Sequence, residues 1–119
     1  MRDIAIIKDK KVLNTLSKVK KSVKAVFGDK LKKIILYGSY ARNEQDNESD
    51  LDIMLLVDLS MEELNKYAKL LTKVTLKLEM ESECLISIME TSYENYNKYL
   101  DVLPFYMNID NEGIQVYGR

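Results

Sequence analysis

Residues 38–57 read GSYARNEQDNESDLDIMLLV. A Gly-Ser pair is followed by a polar spacer and then by Asp50 and Asp52, which alternate into an apolar run. Carboxylates in such a run need a partner, because a buried unpaired charge is costly and is normally neutralised, paired or bound to a metal. In a strand, side chains two apart share a face, so Asp50 and Asp52 would project together, about 6.5 Å apart along the chain. Two hard oxygen ligands so placed suit Mg²⁺, which is commonly held by one or two carboxylates together with substrate phosphates. Gly38 ends the apolar run 34–37, and a short helix is expected over residues 39–42. Glycine lets the backbone approach a ligand, a helix N-terminus offers free N–H groups to an anion, and the Ser39 hydroxyl adds a donor. The stretch therefore joins a phosphate cradle to a metal platform on neighbouring strands.

The flanks place this stretch in a fold. Upstream, Val12, Leu13, Leu16, Val19, Val23, Val26 and Phe27 recur at helical spacing, and Gly28 supplies a C-terminal cap. The runs 34–37 and 51–57 are apolar apart from Asp52 and read as strands covered on two faces. Ser60 with Glu63 forms a capping-box signature that opens a second long helix through Leu64, Tyr67, Ala68, Leu71, Val74 and Leu78. A third strand is expected over 84–89, then a helix announced by Thr91 with Glu94. After Pro104 comes a short helix or turn and a terminal strand. The order α, β, β, α, β, α describes an α/β (α+β) domain in which helices cover a small mixed sheet, here one domain over residues 1–119.

Composition narrows the class. With 46% hydrophobic and 31% charged residues the chain can bury a core, and it is too apolar for a disordered one. The single cysteine forms no internal disulfide, and no signal pattern or long apolar span is present, which points to a cytoplasmic protein without a membrane partner. A net charge of −1 argues against nucleic acid as the main ligand. Charge is uneven, however: ten lysines lie between Lys8 and Lys33, read either as a solvated helix face or as a dock for an acidic partner. The absence of histidine argues against zinc-hydrolase and Ser-His-Asp chemistry.

Gly38-Ser39, ten residues, then Asp50-Leu51-Asp52 resembles the signature of the DNA polymerase beta-like nucleotidyltransferase superfamily. The wording GSYARN with SDLDI, and the tail from Asp101, are similar to its minimal nucleotidyltransferase branch, whose members often pair with HEPN-domain proteins in toxin–antitoxin modules. That resemblance implies the transfer of a nucleoside monophosphate, AMP from ATP, to a hydroxyl with loss of pyrophosphate. It implies that Gly38 and Ser39 hold the β- and γ-phosphates and that Asp50 and Asp52 bind metal ions, while Arg42 reads either as a phosphate contact or as an exposed helix arginine. It further implies a third carboxylate from a neighbouring strand, so that the three hold two Mg²⁺ ions; Glu83 is the candidate, read also as the group that takes the acceptor's proton or else as an exposed residue at a strand start, and Glu81 is the alternative. Asn43 stands where the family often has glycine, and asparagine tolerates the left-handed region better than most residues.

The acceptor is open at this point. One reading is adenylylation of a hydroxyl, a tyrosine first, on a HEPN-type partner. A second is an antitoxin-like subunit that neutralises that partner by contact, and a third is transfer to a small molecule such as an antibiotic in a pocket between copies of the chain. Tyr93, Tyr96 and Tyr99 read either as core packing or as a docking stripe.

Overall fold

A computed structural model of the protein describes residues 1–118. Its centre is the antiparallel pair β2 (Leu31–Tyr37) and β3 (Leu51–Val57), with Tyr37 opposite Asp52. On the outer side of β3 lies β4 (Ile86–Ser92), in parallel, and on the outer side of β2 lies β5 (Ile114–Gly118), antiparallel. A two-residue strand, β1 (Arg2–Asp3), adds to β5 and completes the order β1-β5-β2-β3-β4. The sheet is mixed and five-stranded, as the sequence led us to expect apart from β1, which is too short to leave a pattern.

Both central strands are buried because both faces are covered. Ile34, Leu36, Leu51, Ile53, Leu55 and Val57 face helix α1 (Lys10–Phe27) and helix α3 (Ala68–Ser82), joining Leu16, Val19, Val23, Leu71 and Leu78 in the larger core. Ile35, Met54 and Leu56 face the other way, against Tyr96 of α4 (Tyr93–Tyr99) and Ile109 of α5 (Pro104–Glu112). Asp52 shares this second face by strand alternation.

Helix boundaries follow their caps, with three departures from expectation. Asp9 caps α1 by accepting from the N–H groups of Lys11 and Val12, and Gly28 ends it in the left-handed region at φ 55°. The Ser60–Glu63 capping box is present, but it opens only α2 (Met61–Asn65). The ladder tightens at Lys66 and Tyr67, whose N–H groups bond back three residues to Glu63 and Leu64, so the expected single helix is two. Tyr67 packs on Phe27 at 4.9 Å between ring centroids, which anchors the break. The cap of α4 is Ser92 rather than Thr91: Thr91 is buried within β4, and the Ser92 hydroxyl accepts from Asn95 N–H at 3.3 Å. The third departure concerns β4, which begins two residues later than expected and moves the candidate third carboxylate.

The tyrosines of α4 do not act as a stripe. Tyr96 is buried, Tyr93 is half-buried and Tyr99 is exposed. Burial pushes the Tyr96 hydroxyl up to about 12, with Asp110 and Tyr106 adding to the effect. Among the described residues no helix is long and apolar enough to cross a membrane.

The core face of β3 generates a direct prediction. Leu55 is fully buried between the helices, so Leu55→Ala should cost about 2–5 kcal/mol, measured by denaturant unfolding. A loss under 1 kcal/mol, on the order of a surface change, would contradict this packing.

Candidate active site

At the end of β2 the chain turns sharply. Gly38 adopts φ 75°, a region that side chains rarely enter. The reason lies on the adjacent strand: a Cβ built on Gly38 would sit 2.2 Å from Asp52 Oδ2 and 3.1 Å from its Cγ. Glycine is thus required twice, once by its backbone angle and once by the carboxylate pressed against it.

Residues 39–42 form one helical turn within the loop rather than the expected helix. Arg42 N–H bonds to Gly38 C=O at 3.2 Å, Asn43 N–H to Tyr40 C=O at 3.3 Å, and Glu44 N–H to Ser39 C=O at 2.9 Å. The last two bonds, with Asn43 left-handed at φ 57°, make a Schellman closure in which asparagine takes the usual place of glycine. As the opening groups of a helical turn, the N–H groups of Ser39, Tyr40 and Ala41 have no partner within it and are available to an anion. The Arg2 guanidinium, which carries no local signal in the sequence, donates to the carbonyls of Ala41 and Glu112 and ties this turn to the end of α5.

The spacer is shaped by Asp46, whose carboxylate accepts from Glu48 N–H at 2.8 Å and from the Ser49 hydroxyl at 3.3 Å. Ser49 in turn accepts from Asp46 N–H at 3.0 Å, so the chain enters β3 from a closed local loop. Asp50 is exposed at that entrance, and Asp52 is half-buried on β3. Burial raises the Asp52 carboxyl above its ordinary value, Asp50 raises it further, and Arg42 opposes both. The Tyr37 hydroxyl opposite is raised as well, by burial first and by Asp52 second. Arg42 itself is bracketed by Glu44 at 3.4 Å and Glu112 at 3.5 Å. The structure therefore brings together Gly38, Ser39, Arg42, Asp50 and Asp52.

Glu83 and Glu81 do not sit where a third carboxylate was expected. Helix α3 runs on through Ser82, a stretch rich in good helix formers, and Glu83 is its left-handed C-cap at φ 54°, its N–H bonded to Glu79 C=O. Glu81 lies inside the helix, 3.9 Å from Lys77. The Glu79 carboxylate accepts from Ile86 N–H at 2.9 Å and starts the strand there. In the parallel register of β3 and β4 the residue beside Asp52 is Ser87. Glu83 lines a separate recess with Asp46, Asn47 and Ser49. Among the described residues no three His, Cys, Asp or Glu side chains gather as a metal-holding group. Two like charges, one half-buried and raised by the other, do fit a single divalent cation shared with substrate phosphates.

A cavity of about 420 Å³ lies elsewhere, between the N-terminal segment and the back of the turn, with Ile6, Val12, Lys8, Asp9 and Gln45 among its walls. It does not contain the aspartate pair.

The fold is that of the minimal nucleotidyltransferases. It is similar to a chain of a toxin–antitoxin crystallised with AMP-PNP, at TM-score 0.57 and 20% identity over 87% of this chain and 73% of that one. It is also similar to a chain of the tri-AMPylated Shewanella oneidensis HEPN toxin in complex with MNT antitoxin, at TM-score 0.54 and 18% identity, covering 89% and 71%. Two Methanocaldococcus jannaschii proteins, both named as candidate protein adenylyltransferases, are similar in sequence. One is 29% identical over 88% of this chain and 98% of its own length, the other 33% identical over 81% and 88%. Residues 16–103 match the nucleotidyltransferase domain family, and the chain belongs to that family. It is a nucleotidyltransferase.

Both the Gly38 contact and the raised Asp52 carboxyl are open to measurement. Gly38→Ala should destabilise by about 2 kcal/mol or more, part from the left-handed backbone and part from collision with Asp52. In an Asp52→Ala background the same change should cost less, by about 0.5–3 kcal/mol, measured by a double-mutant unfolding cycle. Strict additivity would contradict the contact. The second concerns pH. Because the folded carboxyl of Asp52 titrates above its ordinary value of 3.8, its ionisation weakens the fold. That cost is absent below the ordinary value, where folded and unfolded chains are both protonated, and is complete once pH exceeds the raised one. Asp52→Asn should therefore stabilise the metal-free protein at neutral pH, and the gain should vanish below about pH 4. An equal gain at acid pH would contradict it.

Proposed function

We propose that this chain transfers the AMP group of ATP to a hydroxyl, a tyrosine first, on a HEPN-type partner protein, acting as the antitoxin of the pair. The observation that carries this reading is the contact of Gly38 with Asp52, which joins the phosphate-binding turn and the carboxylates into one site. It is supported by the names of its M. jannaschii relatives and by the AMPylated toxin in a complex of similar fold.

In this reading the N–H groups heading the turn at Ser39, with the Ser39 hydroxyl, hold the β- and γ-phosphates, and Arg42 swings from its exposed pairs with Glu44 and Glu112 to meet them. Asp50 and Asp52 would hold Mg²⁺ together with phosphate oxygens of the nucleotide. When bound, the ion neutralises phosphate charge and stabilises the attacking and leaving oxygens. The acceptor oxygen attacks the α-phosphorus in line, its proton passes to solvent, and the bond to the β-phosphate oxygen breaks to release pyrophosphate. The acceptor approaches over β4, where Ser87 and Met89 leave that face of the sheet exposed.

Ser87 in the expected place of a third carboxylate favours a second reading, a subunit that binds nucleotide and neutralises its partner by contact. Turnover separates the two. With ³²P at the α-phosphate of ATP, the co-purified pair should label the partner, and Asp50→Asn or Asp52→Asn should cut labelling by about a thousandfold. Glu83→Gln should leave it within a few-fold of wild type. Labelling that survives both aspartate changes would overturn the reading, and nucleotide binding without labelling would favour the contact mechanism.

A further inference from the structure

A cavity of about 220 Å³ opens beside the phosphate-binding turn and shares Gly38 and Arg42 with it. Its remaining walls are chemically distinct: Tyr37 from β2, and Phe105, Asn108, Ile109 and Glu112 from α5. Tyr37 is the residue opposite Asp52, so the cavity adjoins the carboxylates across one strand spacing. We propose that this cavity seats the adenine base of the nucleotide, an inference that rests on the nucleotidyl-transfer reading above.

Three features point to a flat heteroaromatic ligand. Phe105 stands against Tyr37, ring centroids 5.9 Å apart and nearly perpendicular, yet 45% of it remains exposed. An aromatic ring left half-open at the mouth of a site offers a π-face on which a base can stack. Ile109, buried in the smaller core, supplies an apolar floor. Exposed Asn108 carries both a donor and an acceptor, the pair that matches the edge of adenine. All three α5 residues sit on one short helix whose start is fixed by Pro104 at its first turn and whose end is tied down by Arg2, so the pocket is held in shape before a ligand arrives. The cavity also lies on the β2 side of Asp52, opposite the β4 side left open to the acceptor, and base and acceptor would not compete.

The test is calorimetry of the full chain with Mg²⁺ and either ATP or inorganic tripolyphosphate, which presents the phosphates without a base. Phe105→Ala should weaken ATP about tenfold and leave tripolyphosphate within twofold. Asn108→Ala should do the same to a smaller extent and narrow the preference for ATP over GTP. Both positions are exposed, and circular dichroism would verify folding. Wild-type binding of both ligands with unchanged ATP affinity in the variants, or a loss shared equally with tripolyphosphate, would overturn the base site alone. Failure of the wild-type chain to bind either ligand would overturn the nucleotidyl-transfer reading and this inference with it.

Discussion

The site depends on one contact, the Asp52 carboxylate lying against the bare backbone of Gly38. No side chain fits between them, so β2 and β3 can carry the turn and the carboxylate at the same level of the sheet. The consequences spread from there. Gly38 is free to take a positive φ and start the turn, Asn43 closes it in the left-handed region, and Arg42 is delivered within electrostatic reach of Asp52. The strand that supplies Asp52 can bear this charge because its other face is among the most apolar surfaces of the protein, sealed by α1 and α3. A destabilising carboxylate is tolerated at the rim of a core that is strong elsewhere.

The two faces of the sheet divide the work. The face toward α1 and α3 is closed over the two central strands, with Ile34, Leu36, Ile53 and Leu55 buried. The face toward α4 and α5 is closed only over β2 and the middle of β3, and at β4 it shows Ser87 and Met89 to solvent. Because β4 runs parallel to β3, its residues share faces with their partners at the same level, and whatever reaches Asp52 from that side passes over Ser87. An antiparallel β2 and a parallel β4 on either side of β3 thus place a turn on one flank of the carboxylates and an open floor on the other.

Much of this was legible in the sequence because local signals and tertiary needs agreed. Asp-x-Asp inside an apolar run, Gly-Ser at a strand end and a helical stripe ended by Gly28 each state a backbone requirement that the fold then meets. The spacing of Ser60 and Glu63 gave the start of a helix but not its break, since the change of ladder at Lys66 leaves no compositional trace. The third carboxylate failed for a different reason. Glu79 to Glu83 reads equally well as a helix end or a polar strand entry, and a shift of register by a few residues changes which side chain lies beside Asp52. Arg2 could not have been found at all: its role exists only through carbonyls of Ala41 and Glu112, which carry no side-chain signature. Asn43, by contrast, was readable as a left-handed residue and is one.

The most direct measurement is a crystal structure of the protein with Mn²⁺ and a non-hydrolysable ATP analogue, collected for anomalous scattering from the metal. The expected result is a manganese peak between the carboxylates of Asp50 and Asp52, with the terminal phosphates on the N–H groups of the turn that begins at Ser39. A peak away from both aspartates, or a nucleotide seated in the recess behind the turn beside Ile6 and Val12, would contradict it.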